Sequence, residues 1–275
     1  MKVAAIQMRS GTRTEDNLPA ARALLEDAAA QGAELAVLPE YFSIMEQRSE
    51  RTAPVAQEPD GSGAAQQWMA QTARELGLWL AGCLPLACEP PQPARAHNAL
   101  LAYNPQGQRV ARYDKIHLFR FQHGAFHYDE TATIAAGSQP TLFELPSRDG
   151  HTWRVGLSIC YDLRFPELYR TLSAQGVDLL LVPSAFTHVT GSAHWATLLR
   201  ARAIENLCAL VAPGQGGEHE NGRRTWGHSM VIDPWGQVLA ELGEEPGIAL
   251  AELDAAHIAD CRQRLPALTH RMLME

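Results

Sequence analysis

The feature that most constrains the fold is the repeated alternation of short apolar, β-prone runs with longer helical stretches from one end of the chain to the other. Val3 to Met8 reads as a strand, and Leu18 to Gln31 as an amphipathic helix with Pro19 in its first turn and Gly32 beyond it. Glu34 to Pro39 reads as a buried strand, and a helix over Ala64 to Leu76 stops at Gly77. Strands over Leu78–Leu84, Asn98–Asn104 and Arg109–Tyr113 follow, the last two joined by a turn at Pro105-Gln106-Gly107. The pattern resumes as strand (Arg154–Ile159), helix (Pro166–Gln175), strand (Asp178–Val182), helix (His194–Asn206) and strand (Leu207–Ala212). A hairpin around Asp233-Pro234-Trp235-Gly236 and a helix over Asp254–Arg264 close the chain, with a tail after Pro266 expected to pack on another surface. Such alternation predicts α/β architecture with helices covering sheets, and no linker is long enough to divide residues 1–275 into separate domains. Glu89–Pro93 reads as an exposed loop, and Gly214 to Arg224 as a mobile, glycine-rich loop of the kind found near binding sites.

Bulk properties exclude several function classes. With 23 basic against 31 acidic residues the formal charge is −8, which argues against non-specific binding to nucleic acid. No run approaches the ~20 apolar residues of a membrane span. The first strand turns polar at Arg9-Ser10 before a signal-peptide core forms. Five cysteines, an odd number without a secretion signal, predict free thiols in a reducing cytoplasm rather than a disulfide framework. Cys83 and Cys88 lack a partner pair at zinc-ribbon spacing, so no structural metal is expected.

Three residues carry the chemistry. Cys160 ends the run Trp153–Cys160, and Pro166-Glu167 stands where a helix begins, so the thiol is placed at a strand-to-helix turn with backbone N–H groups aimed beside it. Glu40 follows the buried strand Glu34–Pro39, and Lys115 sits at the edge of another in Arg112–Phe119. The C-terminal ends of strands in α/β folds converge on one rim, where a carboxylate, an ammonium and a thiol can meet. Glu40 would take the thiol proton, its basicity raised by apolar flanks and opposed by Lys115. Lys115 and the backbone N–H of Tyr161 would hold the oxyanion, giving acyl transfer through a thioester. The residues alone leave other readings open: a solvated Glu40, a Lys115 paired with Asp114 or Asp129, an inert Cys160, a Cys–His hydrolase, or a non-catalytic scaffold.

Taken together, Leu38-Pro39-Glu40, Tyr113–Leu118, Gly156–Glu167, Pro183–Phe186 and Gly227–Gly236 resemble the nitrilase superfamily of carbon–nitrogen hydrolases over nearly the whole chain. The resemblance implies a four-layer α-β-β-α sandwich, Glu40 as general base, Lys115 as oxyanion stabiliser, Cys160 as nucleophile and Glu130 as an assisting second glutamate. It implies homodimerisation through segments near Phe165–Gln175 and His194–Asn206, with the tail from about residue 254 at the interface, and neither metal nor organic cofactor. Within the superfamily, Thr190–Trp195, Leu199–Glu205, Gln215–His219 and Arg223–His228 are similar to the branch that hydrolyses deaminated glutathione. The expected reaction is therefore hydrolysis of a 2-oxo acid amide with release of ammonia, ω-amidase action on α-ketoglutaramate being the alternative. Arg120, where relatives carry an acid, is a departure that places a cation after Lys115.

A 2-oxo acid substrate carries a carboxylate, for which a planar guanidinium is suited. Arg164, four residues beyond Cys160, is the first candidate, unless it pairs with Asp162 or Glu167. Phe186 and Thr187 are expected to line the pocket, and His194 to begin a helix facing it. Arg223 and Arg224 rank after Arg164 as carboxylate ligands.

Overall fold

Successive side chains of a strand point to opposite faces, and in the central strands here both faces are apolar. The computed structural model describes residues 1–45, 58–88, 95–123 and 126–272. In β1 (Lys2–Gln7), Val3 and Ala5 enter one core while Ala4 and Ile6 enter another. In β2 (Leu35–Val37), Leu35 and Val37 face the first core and Ala36 the second. β3 (Trp79–Ala87) and β4 (Ala96–Tyr103) continue the division, with Ala81, Cys83, Leu100 and Ala102 opposite Leu80, Leu84, Ala99 and Leu101. A sheet buried on both faces requires a layer on each side.

On one side the layer is helical. α1 (Thr14–Ala30) contributes Ala21, Leu25 and Ala28, and α2 (Ala64–Leu76) contributes Ala65, Met69 and Ala73. On the other side lies a second sheet. The first sheet runs β16-β1-β2-β3-β4-β5, where β5 is Arg109–Asp114 and β16 is Gly247–Glu252. The second runs β15-β14-β11-β10-β9-β8, comprising β8 (Leu142–Pro146), β9 (Thr152–Leu157), β10 (Leu179–Leu181), β11 (Ala209–Ala212), β14 (Met230–Ile232) and β15 (Val238–Glu241). Helices α3 (Pro166–Ala174) and α4 (His188–Asn206) cover this sheet through Leu168, Tyr169, Leu172, Trp195, Leu199 and Ala203. Gly156 of β9 permits the approach, since a Cβ there would stand 3.2 Å from Leu172. The result is the four-layer α-β-β-α sandwich in a single domain.

β1, β2 and β3 are mutually parallel, as are β9, β10 and β11. Each parallel set therefore delivers its C-terminal ends to one edge. Two small hairpins stand apart from the sheets: β6 (Arg120–His123) with β7 (Phe126–Asp129), and β12 (Gly216–Glu218) with β13 (Arg224–Trp226). α5 (Ala255–Arg264), capped by Asp254, ends the regular structure.

Several boundaries differ from those read in the sequence. α1 starts at Thr14, so Pro19 lies in the helix interior; Glu15 and Asp16 favour the earlier start by complementing the helix dipole. α4 starts at His188, six residues before the expected position, because packing overrides the weak propensity of Val189, Thr190 and Gly191. β11 starts at Ala209 because Leu207 takes the left-handed conformation (φ 47°) that ends α4. Residues 214–224 contain part of the β12–β13 hairpin, with Gln215 and His219 buried, rather than forming an open loop. The expected loop at Glu89–Pro93 lies outside the described residues. In the tail, Leu265 and Met272 are exposed within the single chain, and residues 273–275 lie outside the described part.

Gly191 sets two effects against each other. Alanine is a better helix former by about 1 kcal/mol, but its Cβ would lie 2.3 Å from the Trp226 Cβ. Such overlap costs about 1–3 kcal/mol. Gly191→Ala is expected to lower the midpoint of chemical denaturation, whereas a raised midpoint would show that Trp226 yields freely.

Candidate active site

Strand ends place every member of the central cluster. After β2, the Leu38 N–H donates to the Ala81 carbonyl and the chain turns through Pro39, which delivers Glu40. In the antiparallel β4–β5 pair Ala99 faces Asp114, and beyond it the Lys115 N–H donates to the Asn98 carbonyl. That register sets Asn98 and Lys115 side by side, and both side chains donate to Glu40 Oε1, Asn98 Nδ2 at 2.8 Å and Lys115 Nζ at 2.9 Å. Beyond β10, the Ala185 N–H donates to Glu40 Oε2 at 2.8 Å. Lys115 Nζ also lies 2.9 Å from Glu130 Oε2, while Glu130 accepts from the Phe119 N–H at 2.7 Å and from the Tyr41 hydroxyl at 3.3 Å.

Beyond β9, Cys160 opens a short 3₁₀ segment, Cys160–Arg164, and its N–H donates to the Pro183 carbonyl at 3.0 Å. Its φ of 50° and that of Tyr41, 59°, fall in the left-handed region disfavoured for side-chain-bearing residues. Both strained residues therefore sit at the cluster, Tyr41 immediately after Glu40. The thiol and the Glu40 carboxylate line the same cleft, close enough for each to act on the other's charge. Tyr161 occupies the first turn of the 3₁₀ segment, where helical N–H groups lack a partner within the helix.

Burial and charge fix the protonation states. Burial alone would raise the Glu40 pKa, as expected from its apolar flanks, but Lys115 outweighs it and holds the carboxyl below its ordinary value. For Lys115 burial opposes the charge, yet Glu130 and Glu40 push the ammonium well above its usual range. Burial, followed by the charge of Glu40, pushes the Cys160 thiol far up. The resting site is thus a carboxylate, an ammonium and a thiol. An ammonium has three N–H donors; two serve the glutamates, leaving one for an incoming oxygen.

Glu40, Lys115, Glu130, Cys160, Tyr161, Arg164, Phe186 and Thr187 line one cleft, together with Phe119, Ala185, Thr190 and Arg223. Among the described residues no histidine lines it, so a Cys–His pair has no support. Lys115 takes neither Asp114 nor Asp129 as its partner: those acids pair with Arg112 and Arg120. Arg120 is directed to that surface pair rather than into the cleft. His194 is also outside the cleft lining: the earlier start of α4 puts it in the second turn, exposed, where its Nδ1 lies 3.3 Å from Arg164 Nη1. Arg164 bonds neither Asp162 nor Glu167, and instead lies over the rings of Tyr161 and Phe186 at 5.7 and 5.2 Å. Trp195 is a packing residue, 5.0 Å from Phe186 between ring centroids.

Asp162 and Asn98 are contributors that the sequence reading missed. Buried Asp162 accepts from the Tyr113 hydroxyl, the Ile159 N–H, the His117 N–H and His117 Nδ1 at 2.7–3.0 Å. It thereby clamps the Lys115 segment to the Cys160 turn. A polar residue within an otherwise apolar strand run is the signal that marks Asn98; for Asp162, the signal is an acid two residues beyond the thiol.

Fold and site together define a class: an α-β-β-α hydrolase with a thiol, a carboxylate and an ammonium at its strand ends. The carbon–nitrogen hydrolase family model matches residues 2–263, and the chain belongs to that family, within the nitrilase superfamily. It is an amidase. A deaminated glutathione amidase of Synechocystis sp. is 43% identical over 273 residues, covering 98% of each protein. The crystal structure of the Caenorhabditis elegans NitFhit protein superposes with a TM-score of 0.87 at 37% identity, covering 98% of this chain and 65% of that one. An amidase from Nesterenkonia sp. AN1, solved as a glutamate-to-glutamine mutant after Michael addition of acrylamide at its active-site cysteine, gives a TM-score of 0.78 at 30% identity, with coverage of 97% and 98%.

Two substitutions probe this framework. In Asp162→Asn the amide must turn its NH₂ toward one of two backbone N–H donors, leaving it unsatisfied at about 1–3 kcal/mol; lower stability in urea and slower thiol alkylation are expected, and unchanged values would refute the clamp. His219 is buried neutral, its Nδ1 donating to the Ser10 carbonyl and its Nε2 accepting from Thr225 Oγ1, and burial pushes its pKa down to about 4. Because the unfolded chain binds this proton near pH 6.5, the stabilisation is complete above that pH and lost as pH falls toward 4. Denaturation of His219→Gln between pH 7 and 4 is expected to show a shallower acid loss than the parent.

Proposed function

We propose that this chain hydrolyses deaminated glutathione through a thioester on Cys160. The observation that carries the reading is the hydrogen-bonded cluster of Glu40, Lys115 and Glu130 in one cleft with Cys160 and Arg164. The names of full-length relatives support the substrate.

Glu40 takes the thiol proton as sulfur attacks the amide carbonyl, and the free Lys115 N–H and the Tyr161 N–H hold the oxyanion. Each such donor is typically worth about 3–4 kcal/mol of barrier. Collapse expels the amine, which receives the proton from Glu40. Water then attacks the thioester, giving its proton to Glu40; the second tetrahedral species expels the thiolate, which is reprotonated. Glu130 holds Lys115, while Arg164 receives the 2-oxo acid carboxylate between Tyr161, Phe186 and Thr187. His194 supports Arg164 from behind.

The atoms of the substrate decide the leaving group. Glutathione is γ-glutamylcysteinylglycine, so cleavage of the deaminated form frees 2-oxoglutarate and cysteinylglycine. Ammonia, expected from the sequence reading, is the product only from a primary amide such as α-ketoglutaramate. Both substrates leave the same 2-oxoglutaryl group on sulfur, so the adduct cannot separate them and the ratio of kcat/KM must.

The reading includes a homodimer formed through α3 and α4, where Val189 and Ile204 are exposed, with the tail from about residue 254, α5 included, at the interface. It also places the protein in the cytoplasm, consistent with five free cysteines. No helix among the described residues is long and apolar enough to cross a membrane.

Mass spectrometry of protein quenched during turnover is expected to find the 2-oxoglutaryl adduct on Cys160 alone. Glu40→Gln should slow acylation by about 10³-fold, within the range of a lost general base. Amide hydrolysis surviving in Cys160→Ala would end the proposal.

A further inference from the structure

The cleft contains two guanidinium groups that no carboxylate touches among the described residues. Arg223 lines it beside Arg164, and among the described residues no carboxylate lies within 4 Å of either guanidinium. Other arginines nearby are paired: Arg224 lies 2.9 Å from Glu244, Arg9 2.8 Å from Glu245 and Arg120 3.2 Å from Asp129. Arg223 Nη2 donates to the Ala185 carbonyl at 2.7 Å, and the guanidinium lies 5.7 Å from the Tyr128 ring centroid. Guanidinium has five N–H donors in a fixed fork, so most of this fork remains free. Glu40 attracts the Arg223 guanidinium only from beyond contact distance, so the fork's free donors can still take an anion that arrives with a ligand.

Position tells the two arginines apart. Arg164 belongs to the nucleophile's own 3₁₀ segment. Arg223 is bonded to Ala185, whose N–H orients Glu40, the group that returns a proton to the departing nitrogen. Building on the function proposed above, we infer that Arg223 is a specificity-determining residue that binds a carboxylate of the leaving group, so that the favoured substrate carries an anion on each side of the scissile amide. Cysteinylglycine has such a carboxylate; the ammonia leaving α-ketoglutaramate has none.

The arm bearing Arg223 is held in advance of binding. The His219 N–H donates to the Arg223 carbonyl at 2.9 Å, and the His219 ring ties the hairpin to Ser10 and Thr225. Gln215 joins the same hairpin to Ser10 Oγ and to the Glu40 carbonyl. A fixed fork binds a carboxylate with less loss of freedom than a mobile one.

The test compares deaminated glutathione with its analogue ending in glycinamide, which lacks only the terminal charge, and with α-ketoglutaramate. The intact enzyme is expected to favour the acid over the glycinamide by at least tenfold in kcat/KM, chiefly through KM. Arg223→Gln should erase that preference and lose at least tenfold more activity on deaminated glutathione than on α-ketoglutaramate. Arg164→Gln should weaken all three. Equal use of acid and glycinamide by the intact enzyme overturns the inference without any variant, as does an acid preference that persists in Arg223→Gln. In either case turnover of deaminated glutathione leaves the functional reading standing. Failure of the intact enzyme to cleave deaminated glutathione at all overturns that reading and the inference with it.

Discussion

Everything in the cleft is arranged around one buried ammonium. Lys115 lies between Glu40 and Glu130, each within 3.0 Å, and all three groups are almost wholly removed from water. Isolated charges in such a place would cost several kcal/mol each. Together they persist because the carboxylates are also bonded by Asn98, Ala185, Phe119 and Tyr41. Those donors come from β4 of the first sheet and from the segments after β2, β5 and β10. The ion cluster therefore requires the sandwich to be assembled, and cannot form from any one strand end.

The same cluster makes the proposed nucleophile compatible with a thiol of raised pKa. A permanently ionised sulfur is unnecessary when the base beside it is already a carboxylate. Lys115 keeps Glu40 ionised, Glu40 keeps the neighbouring sulfur protonated, and transfer is deferred until the sulfur begins to bond to carbon. In the proposed mechanism the ammonium weakens Glu40 as a base, while its remaining N–H stabilises the oxyanion formed in the same step. Strain at Cys160 and Tyr41 is local to this geometry, where hydrogen bonds on either side hold the backbone.

The strand ends were legible because Leu38-Pro39-Glu40 and the run ending at Cys160 are apolar sequences that stop at a reactive residue. Glu130 was legible only through resemblance; its buried position depends on the 3₁₀ turn Glu130–Ala132 beyond β7, which no periodicity announces. Long-range partnerships escaped for a related reason. Asn98 reaches Glu40 through a strand register, and Asp162 reaches Tyr113 and His117 across 49 and 45 positions. His194 was misplaced by the same packing that extends α4 back to His188, since helix propensity cannot anticipate Trp226 against Gly191. The glycines of 214–222 suggested an open loop, whereas some serve close approach: a Cβ on Gly216 would stand 2.3 Å from the Glu244 carbonyl oxygen.

This division between what strand ends specify and what the hairpin specifies has a chemical counterpart. Deaminated glutathione and α-ketoglutaramate converge on one acyl-enzyme, so once the amine has left, no residue can distinguish them. Discrimination has to be exerted in binding and acylation, by groups that contact the part about to depart. Glu40 and Lys115 are poorly placed to do so, because in the proposed mechanism they act on atoms common to every amide. The β12–β13 hairpin meets the requirement: it lies outside both large sheets, carries a guanidinium into the cleft and is tied to Glu40 through Gln215. Changes at its turn can alter which amine is accepted while leaving the buried ions in place. Substrate choice and bond cleavage can thus be adjusted separately within one cavity.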